Sequence, residues 1–104
     1  MSGPELSVGG GVLIEVVRRA ALEIPGVARV SRGGPAWRTA LAGPPIVTRR
    51  SGAGTEVRLW IVARPGEALA TLAGEVRVAV GAAVERLLEL RLDSIVVTVD
   101  GVGG

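Results

Sequence analysis

The chain has 104 residues, enough for one domain with one core, and 48% of them are hydrophobic, too many for an intrinsically disordered segment. It contains no His, no Cys and no Lys, and all twelve basic residues are Arg. Disulfides, thiolate chemistry, His-based acid–base catalysis and Lys Schiff bases are thereby excluded, and a net charge of +2 makes the pI of 11.0 a mark of arginine content rather than of a strong positive field.

No apolar run approaches the roughly 18 residues that span a bilayer. Residues 1–10 lack the basic start and apolar run of a signal peptide, so the expected location is the cytoplasm. These ten residues include Gly3, Pro4, Gly9 and Gly10 and read as a flexible arm, with a short strand around Leu6 and Val8. Residues 11–102 read as a single domain.

Within that domain, Leu13, Val16, Val17, Ala20 and Ile24 recur at helical spacing over residues 12–24, with Glu15, Arg18, Arg19 and Glu23 opposite. Pro25 and Gly26 end this helix, with Gly26 as a left-handed cap. Residues 27–31 predict a short strand. The segment 32–53 reads as a long loop rich in Gly, Pro and Arg, broken by a β-prone stretch at Ile46, Val47 and Thr48.

Residues 55–64 alternate with period two: Val57, Leu59, Ile61 and Ala63 on one face, Glu56, Arg58, Trp60, Val62 and Arg64 on the other. After the turn at Pro65 and Gly66, residues 67–90 predict a long helix with a stripe of Leu69, Leu72, Val76, Val80, Ala83, Leu87 and Leu88. Gly81 inside it predicts close packing on a sheet. Residues 94–100 alternate again, with Ile95, Val97 and Val99 against Val96, Thr98 and Asp100. The expected fold is α+β, a two-layer sandwich in which two helices cover one face of a mostly antiparallel sheet of three to four strands.

The residues that could carry chemistry do not converge. Glu85 and Glu89 share a solvated helix face, and Asp93 and Asp100 flank the last strand as turn residues. Ser7, Ser31, Ser51 and Ser94 have no His partner and no nucleophile-elbow motif. The carboxylates do not cluster for a metal, and the Gly run at 9–11 lacks the full phosphate-loop pattern. No catalytic residue, cofactor or metal is expected.

Two surfaces remain. Arg29, Arg32, Arg38, Arg49 and Arg50 surround Trp37 with no acid between Arg29 and Glu56, a pattern suited to anions, nucleic acid or lipid headgroups. An aromatic stacking platform for RNA is missing, which makes a small RNA-binding module the second reading. Trp60 and Val62, with Val96 and Thr98 beside them and Arg58 at the rim, have the composition of a protein interface. Two arrangements fit Trp60: exposed on an open sheet face, or covered by the loop 32–53, against Trp37.

Four segments in order resemble the alkaline shock protein family of bacterial envelope stress response proteins. They are AALEIPGV at 20–27, GTEVRLWIVARPG at 54–66, LAGEVRVAVGAAVERLLEL at 72–90 and SIVVTVDGV at 94–102. The resemblance implies a non-catalytic cytoplasmic protein that self-associates into a homo-oligomer. It also implies a location peripheral to the inner face of the cell membrane, reached through a separate anchor protein.

Overall fold

A computed structural model describes residues 9–52 and 54–103; the residues expected to form the N-terminal arm and its short strand lie outside the described residues, apart from Gly9 and Gly10. In chain order the elements are α1 (Gly10–Leu22), β1 (Val27–Val30), α2 (Ala36–Ala42), β2 (Ile46–Ser51), β3 (Gly54–Ala63), α3 (Leu69–Leu88) and β4 (Ser94–Val102). The α+β class and the two helices on one sheet face agree with the sequence reading.

Strand β3 is the centre of the sheet. Strand β4 runs parallel to it along one edge, from Glu56 beside Ser94 to Ala63 beside Val102. The parallel direction follows from the connection: α3 is the crossover that such a pair requires. The other edge of β3 is shared by two antiparallel strands. Strand β2 takes its first half, from Ser51 beside Gly54 to Ile46 beside Leu59, and β1 takes the second, with Val30 beside Ile61 and Val27 beside Ala63.

The changeover falls at Trp60. Its carbonyl accepts from the Ser31 N–H (3.1 Å) and its own N–H donates to the Pro45 carbonyl (2.8 Å). Residues 31–45 are therefore one excursion that leaves and rejoins the sheet at the same residue.

The core is aliphatic. Val57, Leu59, Ile61 and Ala63 of β3 lie beneath Leu13, Val17, Ala20 and Ala21 of α1 and Leu72, Val76, Val80, Ala83 and Val84 of α3. Those helical residues sit at spacings of three and four, so each helix turns one apolar stripe to the sheet. Gly81 is explained by proximity: a Cβ there would come within 3.2 Å of Ile95 Cδ1.

Several local expectations change. Gly26 does not cap α1 in a left-handed conformation, since the helix ends at Glu23 with right-handed geometry and Gly26 is not among the residues of positive φ. It is buried instead where a Cβ would sit 2.9 Å from Leu72 Cδ1 and 2.5 Å from Glu67 Oε1. Leu87 and Leu69, assigned to the buried stripe, are 59% and 41% exposed. The segment 32–53 is not a plain loop. It contains the helix α2, and its β-prone stretch extends to Ser51.

Candidate interaction surfaces

The sheet face away from α1 and α3 carries the alternate residues of each strand. By register, Val47 and Arg58 sit beside Val96, Arg49 and Glu56 beside Ser94, Trp60 beside Thr98, and Arg29 beside Val62. The five residues expected to form one interface (Arg58, Trp60, Val62, Val96 and Thr98) do share this face.

They do not form one open patch, because the excursion 31–45 crosses part of it. The Gly33 N–H donates to Asp100 Oδ2 of β4 at 2.9 Å, which ties the crossing down on the far side of β3. Val62 is only 2% exposed. The Arg32 guanidinium lies over the Trp60 indole, 3.4 Å from its centroid, and Arg32 Nε reaches the Pro44 carbonyl at 3.4 Å. Stacking a cation on the indole face is favourable and leaves the ring half-buried. The structure thus selects the covered arrangement for Trp60, with a different cover: Arg32 rather than Trp37, which is 68% exposed on α2.

What stays open is the β4 side of the face. Val96 is 41% exposed there and Thr98 is exposed, while Val102, beside Ala63 on the other face of the strand, is 56% exposed. Arg58 is exposed and pairs with Glu56 at 3.3 Å. Among the described residues the only ladder of β4 is the one with β3.

The arginines expected to act together are distributed over several sites. Arg29 and Arg49 project on the open face and are exposed, Arg32 is engaged with Trp60, and Arg38 is exposed on α2. Arg50, next along the strand, points to the opposite side of β2, as its register beside Thr55 requires.

Among the described residues no group of three or more carboxylates is placed to hold a metal ion. Glu15 and Arg19 form a solvated pair on α1 at 2.8 Å, and the hydrogen bond and charge of Glu15 raise the pKa of Arg19. A hollow of about 170 Å³ lies where the β2–β3 turn meets the start of β4, lined by Arg49, Thr55, Glu56 and Asp93 among others. Asp93 is already used there: its Oδ2 accepts the Thr55 N–H at 2.7 Å and joins the strand ends. No described helix is long and apolar enough to cross a membrane.

No protein-family model matches the chain, and no curated protein matches it. Solved structures do. A copper form of MamM CTD superposes with a TM-score of 0.63 at 17% identity, over 88% of this chain and 85% of that one. A zinc form of a MamM CTD variant gives 0.56 at 22% identity, over 88% and 84%. A further MamM CTD structure gives 0.58 at 22% identity, over 89% and 99%.

At these identities the likeness is one of fold. It overturns the resemblance to the alkaline shock protein family, and with it the envelope stress role that the resemblance implied. The segments that carried the resemblance explain the error. A helix that ends just before an edge strand, and an alternating Val-rich final strand, are compatible with this α+β architecture whatever the family. They report the fold rather than the family. This chain has neither His nor Cys, so its metal-ligating side chains are carboxylates, and among the described residues these form no group of three or more.

Proposed function

We propose that this domain is non-enzymatic and works by pairing with a second copy of itself through β4. The observation that carries this reading is the edge itself. Strand β4 is nine residues long, has one charged side chain, Asp100, and carries exposed valines at 96 and 102. Edge strands of this length are ordinarily blunted by Lys, Pro or a bulge. The one irregularity in the β3–β4 ladder falls at its end, between Ile61 and Ala63, and residues 94–99 run regularly.

In a parallel pair alternate residues direct their N–H and C=O groups to the neighbour. Asp93 donates to Thr55 and Gly103 to Ala63, so Ser94, Val96 and Thr98 turn their backbone groups outward. Antiparallel pairing of two β4 strands about a twofold axis would satisfy those groups and continue the sheet across the dimer. The lack of His, Cys and Lys supports a non-catalytic role. The location that goes with the reading is the cytoplasm, close to the inner face of the membrane. The basic stretch from Arg29 to Arg50 supports that placement, because the cytoplasmic leaflet is anionic.

Thr98 is the middle residue of β4, so it lies close to its own copy across a twofold axis. Thr98→Lys places like charges opposite each other and is expected to weaken self-association by about tenfold or more. Thr98→Glu is expected to do the same, and an equimolar mixture of the two to recover dimers, read as mass by sedimentation equilibrium. A native chain that stays monomeric at high micromolar concentration, or a mixture that fails to recover, contradicts pairing through β4.

A further inference from the structure

Helix α2 is built the wrong way round for a soluble surface helix. It buries none of its seven residues. Thr39 is the residue turned toward the protein: its hydroxyl meets the Pro35 carbonyl at 3.2 Å and the Arg32 carbonyl at 3.4 Å. At about 100° per residue, Trp37 and Leu41 both lie about 160° from Thr39. The two large apolar side chains therefore share the face pointing away from the domain, and they are 68% and 82% exposed.

The excursion that presents them is held firmly. Trp60 clasps both of its ends, Gly33 is tied to Asp100, and Arg32 is stacked on Trp60. Residues 29–55 contain five arginines and no acid, and Arg38 is exposed within α2 itself, beside the apolar pair.

We propose that α2 docks this domain directly on an anionic lipid bilayer, with Trp37 and Leu41 seated at the headgroup boundary and Arg38 beside them facing lipid phosphates. Trp favours this boundary because its ring is apolar and its N–H is polar. A short apolar face with basic flanks binds by area and charge together. A second copy fits the same face poorly, since a symmetric contact would bring Arg38 toward Arg38. Nucleic acid would leave Leu41 without a role. The α2 contact uses exposed side chains of the excursion and the pairing of β4 uses outward backbone groups of residues 94–98, so the two rest on separate observations and can fail separately.

The test is co-sedimentation of the full chain with vesicles of phosphatidylcholine alone or mixed equally with phosphatidylglycerol. Pelleting is expected with the mixed vesicles, little with the neutral ones, and loss of binding as salt rises. The double variant Trp37→Ser, Leu41→Ser is expected to bind the mixed vesicles about tenfold more weakly or less, with an unchanged melting transition because neither side chain is buried. Should the double variant melt early, emission of the single variant decides the matter. The native chain is expected to shift to shorter wavelength on vesicles, and Trp37→Ser, which retains only Trp60, is expected not to shift. No pelleting with the mixed vesicles, equal binding by the double variant, or a blue shift that survives Trp37→Ser overturns the proposal. So does salt-sensitive binding of single-stranded RNA without vesicle binding.

Discussion

Leu59→Ala is expected to lower the unfolding free energy by about 3–5 kcal/mol, measured by urea denaturation. Leu59 is fully buried in the middle of the central strand, with Ile46 beside it on β2 and Val97 beside it on β4. Every layer of the fold meets there, so the cavity left by truncation has no exposed wall that could collapse into it. A domain of this size has a total stability of about 5–15 kcal/mol, so the variant loses a large fraction of it. Val78→Ala is the control. Val78 is 71% exposed on α3, and the change is expected to stay within about 0.5 kcal/mol.

Gly33→Ala is expected to release the crossing over the sheet. A Cβ at Gly33 would fall on the backbone carbonyl of Asp100, and backbone cannot swing aside as a side-chain end can. The crossing must lift, the hydrogen bond from the Gly33 N–H to Asp100 is lost, and Val62 comes out of cover. The expected cost is about 1–3 kcal/mol, the range for forcing extra atoms into a packed site. A specific sign accompanies it. In a Trp37→Ser background, where Trp60 is the remaining indole, quenching by acrylamide is expected to rise sharply in Gly33→Ala. Unchanged quenching and stability would mean that the crossing is not anchored at Gly33.

The two layers were legible in the sequence because both rest on periodicity. Strand β3 and helix α3 each announce one apolar face, and Gly81 announces the closeness of α3 to the sheet. Periodicity gives direction and not extent, however. Leu87 lies in the angular stripe of Val80 and Val84 and is still exposed, since a helix face can point toward the sheet without having a partner opposite.

Helix α2 went unread for the opposite reason, as it has no buried face to create a pattern. Its signals were local: Pro35 at the start, the helix formers of AWRTALA, and Gly43 with a φ of 96° at the end. The cover over Trp60 lay beyond any local signal. It depends on Gly33 meeting Asp100, 67 positions apart, and on Arg32 rather than Trp37 reaching the indole. Arg29, Arg38 and Arg49 form one run in sequence and separate in space because strand alternation and the excursion carry them to different places.

Pairing through β4 has a direct reporter in the outward amides of Val96 and Thr98. In a dimer these N–H groups are hydrogen-bonded across the twofold axis, and in a monomer they face water. Amide hydrogen exchange across a dilution series is expected to show slow exchange at both positions at high concentration, becoming fast as the chain dissociates. The inward amides of Ile95 and Val97 should stay protected throughout. Fast exchange at Val96 and Thr98 at every concentration, with Ile95 and Val97 protected, would contradict association through this edge.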